Sequence, residues 1–376
     1  MGKGPQTGVD RVEQAYLTEI LSQNAPAFGL VRSAFGFLLL DRAGLSAVRH
    51  GLVDRSRADL ASRIAWRKDP ARGRTETALR RLAVARCLRR NLMGMLKYHL
   101  PHGYGYFNVG HSNLDAHTLH SIGQSDGRKV ILVHDTIPLD HPELCRSDTL
   151  ASFAQKMRSV ARYADLVIFS THDARTKAEV HFQRFGRAPK AVVAKLGVTL
   201  AEPTPLSFTP QPPYFVCLGT IEPRKNHATL LDVWQRLGTA APLLYIVGAR
   251  GWASDALFTR LDAAEAEGRV KILSGLTDGQ VTTLLQSAQG LLFPSLAEGF
   301  GIPAIEAASL GTPVILSNLP VFKEILPHSA VYLEPEDSYS WLETIARLAA
   351  QKKNDTIAMT PPSWGEHFNE VFTALS

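Results

Sequence analysis

Several features are scarce or absent in this sequence of 376 residues. Cysteine occurs only three times, at Cys87, Cys145 and Cys217. Thiols so far apart in sequence indicate neither a disulfide framework nor a Cys-x-x-Cys metal site. No apolar run approaches the roughly 20 residues that span a bilayer, and residues 1–5 are not followed by the apolar segment of a secretory signal. The sequence therefore predicts buried free thiols and a cytoplasmic protein.

Motifs for two other classes of protein are also absent. A nicotinamide-dependent dehydrogenase needs Gly-x-Gly-x-x-Gly after a strand and an acidic residue about 20 residues later, and no such run occurs. The basic charge is accompanied by no nucleic-acid recognition motif and no series of aromatic residues for base stacking. These absences argue against a dehydrogenase and against a nucleic-acid-binding protein.

The net charge of +6 is unevenly distributed. Basic residues far outnumber acidic ones from Arg49 to Lys97, a stretch called the basic segment below. Its inner cations are Arg55, Arg57, Arg63, Arg67, Lys68, Arg72, Arg74, Arg80, Arg81, Arg86, Arg89 and Arg90, and its acids are Asp54, Asp59, Asp69 and Glu76. Apolar residues lie between the charges at helical intervals. This pattern fits a surface for anionic lipid headgroups or phosphorylated partners, and it equally fits a solvated helix face.

The length of the chain fits two domains. From about residue 130, short apolar runs alternate with longer amphipathic ones, which predicts an α/β fold with a mainly parallel sheet. Five prolines in residues 201–213 exclude helix and central strand there and indicate a linker. We predict an N-terminal domain (residues 1–200), this linker, a C-terminal domain (residues 214–360) and a last helix (residues 361–376) that packs back on the N-terminal domain.

The predicted strands are short and apolar, whereas residues 1–100 are predicted to be largely helical, with a first helix opening at Gly8. The strands are predicted at Val130–Val133, Leu166–Phe169, Ala191–Ala194, Tyr214–Leu218, Leu243–Val247, Val270–Leu273, Gly290–Phe293, Val314–Leu316 and Val331–Leu333. Helices are predicted to start near Asn226, Ser254, Asp278 and Pro303 and to include residues 364–375.

The stretch Leu291–Ser317 carries the most chemical information. A strand ends at a glycine-bearing loop that contains Glu298, and Pro303 then opens a helix at the position that proline favours. Glycines let the backbone approach a ligand, and a helix N-terminus attracts negative charge, so the arrangement suits a nucleotide diphosphate. Glu306, in the first turns of the helix, is placed to accept hydrogen bonds from a ribose diol, and Glu298 is placed to face a sugar.

A second informative stretch, residues 218–234, reads as strand, turn and helix. Arg224 and Lys225 lie side by side in the turn. Two adjacent cations beside a glycine-bearing turn are well placed for a diphosphate, on which negative charge builds as it departs.

These residues resemble glycosyltransferase family 4, whose members have the GT-B fold. Glu298 and Glu306 match the family's pair of glutamates separated by seven residues, Arg224 to Asn226 resemble its basic turn, and Gly248–Trp252 resembles its Gly-x-x-Gly-Trp loop. The resemblance covers the whole predicted C-terminal domain. It implies an α/β protein of two Rossmann-like domains, whose parallel sheets face a central cleft.

The N-terminal half resembles the bacterial branch of this family that builds polysaccharide and O-antigen chains, many of whose members are mannosyltransferases. His134 and Asp135 follow a predicted strand within a His-Asp-x-Ile-Pro-Leu sequence, and the turn at Gly8 is similar to one that approaches the donor phosphate. Two features depart from the family. Thr220 stands where many members have arginine, and the first strand of the N-terminal domain is expected to be missing or vestigial, because few strand-forming residues precede Gly8.

The resemblance also implies the following roles. Catalytic roles fall to His134, Glu298, Arg224 and Lys225; donor contacts to Gly8, Gly219, Thr220, Gly248, Gly299, Phe300, Gly301, Ile302 and Glu306; and the acceptor side to Asp135 and Ser170. No Asp-x-Asp accompanies the donor site, so no metal and no cofactor are expected beyond the nucleotide-sugar donor.

The activity that the resemblance implies is sugar transfer with retention at the anomeric carbon. The expected donor is a nucleotide diphosphate sugar, GDP-mannose first, and the expected acceptor is a glycan or a polyprenyl-diphosphate-linked glycan at the inner face of the membrane. Two alternatives stay open at this point, namely a nucleotide-sugar epimerase of the same fold and a catalytically impaired member that acts as a partner subunit.

Overall fold

The computed structural model describes residues 7–351 and 357–376 as an alternation of helices and strands. The strands are β1 (Gly29–Ser33), β2 (Gly36–Leu40), β3 (Ala83–Leu88), β4 (Gly105–Asn108), β5 (Arg128–Val133), β6 (Leu166–Phe169), β7 (Ala191–Val193), β8 (Tyr214–Leu218), β9 (Leu243–Val247), β10 (Val270–Leu273), β11 (Gly290–Phe293), β12 (Val314–Ser317) and β13 (Val331–Leu333).

The helices lie mostly between the strands. They are α1 (Gly8–Ser22), α2 (Arg42–Arg49), α3 (Leu60–Ala65), α4 (Pro70–Leu82), α5 (Leu92–His99), α6 (Ala116–Gln124), α7 (Ile137–Asp140), α8 (Thr149–Tyr163), α9 (His172–Arg184), α10 (His227–Leu237), α11 (Asp255–Ala266), α12 (Asp278–Gln286), α13 (Ile302–Ser309), α14 (Pro320–Ile325), α15 (Ser338–Ala350) and α16 (Trp364–Leu375).

The chain forms two compact units whose segments interleave in sequence. The N-terminal unit comprises Met1–Leu132, Gln155–Val167 and Arg184–Lys190. The C-terminal unit comprises Val133–Ala154, Ile168–Gln183 and Ala191–Ser376. The division into domains at residues 201–213 stays a prediction, although that segment contains neither helix nor strand.

A six-stranded parallel sheet forms the core of the C-terminal unit, in the order β10-β9-β8-β11-β12-β13. Every residue of β8, β11 and β12 is buried, because helices cover both faces of a parallel sheet and its strands become continuous apolar runs. Trp234 and Trp341 pack in the apolar core beside it. The strands predicted from residue 214 onward are confirmed, and five of the six have the predicted bounds.

A second sheet has the order β4-β5-β6-β7, with β4 and β5 parallel. All of β6 is buried, and so is β5 apart from Arg128. The three strands predicted in this part of the sequence are therefore confirmed. Each is followed by a loop or a helix, so the residues after β5 and β6 lie at the carboxyl ends of their strands, where ligands bind in α/β folds.

The prediction that residues 1–100 are largely helical is wrong in part. Three strands, β1, β2 and β3, form an antiparallel sheet there. Gly36, after the turn between β1 and β2, has φ +153°, and a Cβ on it would lie 2.1 Å from the carbonyl oxygen of Cys87. The sequence signal for β3 is weak, because its alternation of exposed and half-buried residues covers six residues and directly follows the arginine-rich helix α4.

The predicted first helix is confirmed as α1, whose N-cap residue Thr7 forms a capping box with Asp10. The prediction of a missing strand concerns residues that precede Gly8, and residues 1–6 lie outside the described residues. The last predicted helix is confirmed as α16. It packs against residues 194–198, with Pro362 accepting a hydrogen bond from the amide of Val198 and Trp364 lying against Gly197.

Candidate functional site

The loop between β11 and α13 positions the two glutamates of the sequence motif. Glu298 lies in the loop and Glu306 in the helix, which begins at Ile302 with Pro303 in its first turn. Gly301 is the N-cap with φ +91°, and a Cβ on it would lie 2.8 Å from the ring of Phe322. A residue with a side chain would be strained in this left-handed conformation, so glycine fixes where the helix begins.

Glu298 is a buried carboxylate held by two cations and a hydroxyl. Its Oε1 accepts a short hydrogen bond from Lys225, one of 3.0 Å from Ser295, and an ion pair of 2.8 Å from Nη1 of Arg224. Burial alone raises the pKa of Glu298, but the charges of Arg224 and Lys225 outweigh that effect and lower the pKa to about 2. The hydrogen bonds and ion pairs of Glu298 in the described part of the chain all use Oε1, on one side of the carboxylate.

The turn after β8 presents the two cations. Lys225 is 7% exposed, and its Nζ lies 4.0 Å from the centroid of the Phe293 ring, a cation–π contact. Burial lowers the pKa of Lys225, although the nearby Glu298 carboxylate opposes the shift. Asn226, with φ 52°, ends the turn and caps α10. The turn therefore places both cations against the loop that carries Glu298.

Glu222 is a site residue that the sequence analysis missed. Its side chain is 4% exposed, and its Oε1 lies 2.5 Å from Nε of Arg224. Burial raises the pKa of Glu222, while the charges of Arg224 and Lys225 lower it. The only signal in the sequence is a glutamate two residues before the cations, which by itself does not distinguish a buried partner from a solvated surface residue.

His134 and Asp135 directly follow β5, and the structure brings them to the same cluster. A Cβ on Gly299 would lie 2.9 Å both from Oδ2 of Asp135 and from the backbone carbonyl oxygen of His134. Burial raises the pKa of Asp135, against the lowering effect of the Arg224 and His134 charges. Glycine at position 299 is therefore what allows the loop and the end of β5 to meet.

Three further predicted residues, Gly219, Thr220 and Gly248, lie where the loop after β9 packs against the turn after β8. A Cβ on Gly248 would lie 1.9 Å from the carbonyl oxygen of Gly219, and one on Gly251 would lie 2.6 Å from Cγ2 of Thr220. Gly219 itself has φ +134° and lies against the side chain of Lys225. Close backbone packing thus accounts for Gly248 and Gly251, and the direct donor contact of Gly219, Thr220 and Gly248 stays a prediction.

The remaining predicted residues lie in several places. Phe300 is buried, whereas Ile302 and Glu306 are partly exposed on α13. Ser170, which follows β6, is 1% exposed, and its Oγ has no hydrogen-bond partner within the described residues. Gly8 begins α1 in the N-terminal unit. The structure therefore gathers six of the predicted site residues into one cluster of the C-terminal unit: His134, Asp135, Arg224, Lys225, Glu298 and Gly299.

The cluster, called the charged cluster below, contains three carboxylates and two cations. The carboxylates are Asp135, Glu222 and Glu298, and the cations are Arg224 and Lys225. Across residues 7–351 and 357–376, no group of three or more histidine, cysteine, aspartate or glutamate side chains is placed to hold a metal ion. Chemically, the arrangement offers positive charge in the turn that precedes α10, with carboxylate oxygens beside it.

Known structures share this fold. Sucrose-phosphate synthase from Thermosynechococcus elongatus aligns with a TM-score of 0.52 and 19% identity, over 71% of this chain and 72% of that one. The Anabaena protein HepE in complex with UDP aligns with a TM-score of 0.51 and 16% identity, over 69% of this chain and 71% of that one. The fold is that of the α/β GT-B class, as predicted.

Residues 201–358 match the model of the family described as glycosyl transferases group 1. This segment is similar to that family, and the predicted resemblance to glycosyltransferase family 4 is confirmed. The cluster residues Glu222, Arg224, Lys225, Glu298 and Gly299 all lie inside the matched segment.

Two curated relatives belong to the branch that the sequence analysis predicted. The serotype-specific mannosyltransferase WbdA of Escherichia coli is 32% identical over 225 residues, which are 54% of this chain and 28% of the relative. The O-antigen chain mannosyltransferase RfbU of Salmonella typhimurium is 33% identical over 135 residues, 36% of this chain and 38% of the relative. The chain thus matches well under half the length of either relative.

Proposed function

We propose that this chain is a retaining glycosyltransferase that takes its sugar from a nucleotide diphosphate donor. The observation that carries the proposal is the charged cluster, where Arg224 and Lys225 meet Glu298 beside the N-terminus of α13. Positive charge beside a helix N-terminus is what a departing diphosphate requires. The family match of residues 201–358 supports the same reaction.

In the proposed reaction, Glu298 and Glu306 hold the two ends of the donor. Lys225, Ser295 and Arg224 all contact Oε1 of Glu298. The other oxygen, Oε2, accepts hydrogen bonds from hydroxyls of the donor sugar. Glu306 accepts hydrogen bonds from the ribose hydroxyls, and Asp135 and Ser170 lie on the acceptor side. The acceptor hydroxyl attacks the anomeric carbon on the face from which the diphosphate leaves, and a phosphate oxygen takes the hydroxyl proton. Arg224 and Lys225 neutralise the leaving group, so the reaction needs no metal and no cofactor.

The proposed donor is GDP-mannose, and the proposed acceptor is a glycan or a polyprenyl-diphosphate-linked glycan of a cell-surface polysaccharide. Support comes from the two relatives named as mannosyltransferases, one of them for O-antigen chains. Both relatives are matched over only part of their length. The identity of the donor base and of the donor sugar is therefore the first property to test.

The basic segment is proposed to dock the enzyme on the anionic inner face of the cell membrane. In this segment β3 exposes Val84, Arg86 and Leu88 on one face, and Leu60 and Ile64 of α3 are 71% and 69% exposed. Cations beside exposed apolar side chains suit an interface of anionic lipid. None of the helices in the described part of the chain has the length and apolar character of a bilayer span.

Thermal unfolding in the presence of nucleotide sugars tests the proposed donor. A panel of GDP-, UDP-, ADP- and TDP-sugars is compared, and a ligand at 100 times its Kd is expected to stabilise the protein by about 2.7 kcal/mol. The anomeric configuration of the product, followed by NMR from the first turnover, tests retention. Activity in excess EDTA tests metal independence.

A matched pair of variants links any binding to the charged cluster. Glu298→Gln removes the carboxylate charge of the cluster, and Glu76→Gln does the same to a buried Glu–Arg pair in the N-terminal unit. Stabilisation by a donor that survives Glu76→Gln and is lost in Glu298→Gln supports the proposal. No stabilisation of the wild-type protein by any sugar nucleotide, or equal stabilisation of both variants, would refute it.

A further inference from the structure

Arg224 is held along one side of its guanidinium group. Its Nε pairs with Glu222 at 2.5 Å, and its Nη1 pairs with Glu298 at 2.8 Å and donates to the carbonyl oxygen of Ala297 at 3.3 Å. These contacts, made within the described residues, use Nε and Nη1 and leave the N–H groups of Nη2 for another acceptor. Two carboxylates therefore fix the plane of the group, and a third position is open to a ligand.

The backbone around Glu222 is rigid, which makes it a suitable anchor. The amide of Ile221 donates to the carbonyl of Ala249 at 2.9 Å, and the carbonyl of Ile221 accepts from the amide of Gly251 at 3.0 Å. Pro223 follows, with its φ fixed by its ring, and the carbonyl of Glu222 accepts from the amide of Lys225. The carboxylate of Glu222 is therefore held at a defined point behind the basic turn.

Glu298 cannot hold Arg224 in place alone during sugar transfer. The same oxygen, Oε1, already accepts from Lys225 and Ser295, and in the proposed function the carboxylate also contacts the donor sugar. An arginine anchored only there would shift whenever the sugar moved. Glu222, by contrast, has no part in the proposed contacts with the sugar, and it holds Nε, the nitrogen nearest the chain.

We propose that Glu222 is a positioning residue for sugar transfer, which fixes Arg224 so that Nη2 faces the leaving diphosphate. This inference rests on the proposed function. Preorganised donors aimed at developing charge lower the barrier without reorganising during the reaction. Because Glu222 is also one of three carboxylates set against two cations, its negative charge opposes the binding of an anionic donor. Glu222 is therefore expected to raise the rate by fixing the geometry of Arg224, and not to raise the affinity for the donor.

This combination predicts opposite effects of Glu222→Gln on turnover and on binding. With GDP-mannose as probe, kcat for transfer or donor hydrolysis is expected to fall about 10- to 100-fold, the usual effect of a misplaced group near a reaction centre. The Kd for GDP is expected to stay equal or to decrease, since one repelling charge is gone. Glu76→Gln, which breaks a buried Glu–Arg pair of the same 2.5 Å length, is the control and is expected to keep the wild-type kcat.

A double-mutant cycle isolates the effect on Arg224. In an Arg224→Ala background, Glu222→Gln is expected to have no further effect on kcat. A purely structural role for Glu222 would instead lower kcat in both backgrounds by the same factor, or would weaken GDP binding together with turnover. Either of those results overturns the proposal.

NMR of the wild-type protein with 15N-labelled arginine Nε tests the anchor without any activity. The Nε–H signal that disappears in Arg224→Ala is expected to exchange slowly with solvent in the wild type and rapidly in Glu222→Gln. Rapid exchange in the wild type overturns the proposal even if Glu222→Gln fails to fold. If no sugar nucleotide binds the wild type, both the proposed function and this inference fail. If a sugar nucleotide binds but the Nε–H of Arg224 exchanges rapidly with solvent, only the inference is refuted.

Discussion

Replacing Glu298 by glutamine changes the stability of this protein in a way that depends on pH. The pKa of Glu298 falls from its ordinary value of 4.5 to about 2, because Arg224 and Lys225 outweigh the effect of burial. Each unit of pKa shift corresponds to about 1.4 kcal/mol, so the ionised carboxylate contributes about 3 kcal/mol to the free energy of unfolding at neutral pH.

The sign of the pH dependence follows from the lowered pKa. A carboxylate whose pKa is depressed in the folded state stabilises the protein above its unfolded pKa, and this stabilisation is lost as the pH falls through 4.5 towards 2. At pH 3 about 1.4 kcal/mol of the contribution is left. The difference in unfolding free energy between wild type and Glu298→Gln is therefore expected to shrink by about 2 kcal/mol between pH 6 and pH 3.

Urea unfolding followed by tryptophan fluorescence measures this difference, since Trp234 and Trp341 are buried in the core of the C-terminal unit. Asp135 and Glu222 are present in both proteins, and the charge of Glu298 is a smaller cause of their raised pKa values than burial. Asp262→Asn is the control, because Asp262 forms an exposed ion pair with Arg250 that water and salt screen. A difference in unfolding free energy that stays constant from pH 6 to pH 3 would refute the conclusion that the ionised Glu298 carboxylate stabilises the protein.

Four further outcomes are expected. Glu306→Ala should weaken the binding of free GDP about 10- to 150-fold in calorimetry, the equivalent of one lost charged hydrogen bond, and unchanged affinity would remove its role at the ribose. Lys225→Met should lower kcat more than it raises KM, because leaving-group charge peaks in the transition state; a change in KM alone would count against that role. GDP should slow maleimide labelling of Cys145, which is half-buried and whose pKa is raised by burial and by the nearby Asp135 carboxylate, and not of the half-buried Cys87, as mass spectrometry would show. Arg86→Glu should reduce sedimentation with anionic liposomes at low salt, and binding indifferent to salt would refute the membrane surface.

The strands of the sheet in the C-terminal unit were predictable because each one is recognisable from its own residues. A strand buried on both faces must be a run of apolar residues, and the breaks between such runs fall at glycine, proline and charged residues. Tyr214–Leu218 and Gly290–Phe293 are runs of this kind, and both have the predicted bounds. The paired glutamates and the basic turn were predictable for a different reason, since their spacing resembles that of a known family.

The antiparallel sheet near the N-terminus was not predictable from the same signals. All of β2 is buried, yet its five residues are too few to distinguish a strand from a buried helical turn by period alone. In β3, a single arginine stands among alanine, valine, cysteine and leucine, directly after a helix rich in arginine. The strand β3 pairs with β2 across a long stretch of sequence, for example Leu88 with Gly36, which lies 52 positions earlier, and local signals do not reveal such a contact.

Glu222 shows why part of the site escaped the sequence analysis. A glutamate before a proline is ordinary in a surface turn, and its burial depends on residues far along the chain. Those residues are the loop of Ala249 to Gly251, which pins the backbone before it, and Glu298, which shares Arg224 with it. The partner that orients a functional group is thus fixed by tertiary contacts, while the group itself is visible in the motif.

The charges of the cluster also constrain how the proposed donor would bind. Removing two cations from water costs several kcal/mol each unless they are paired, so Arg224 and Lys225 need buried carboxylates whenever the donor is absent. In the proposed complex both cations keep their ion pairs with Glu298, so a donor diphosphate competes electrostatically with that carboxylate and each of its own ion pairs is weaker. The competition favours binding that is modest in the ground state and stronger once charge has moved onto the leaving group, which is the condition for a high turnover rate.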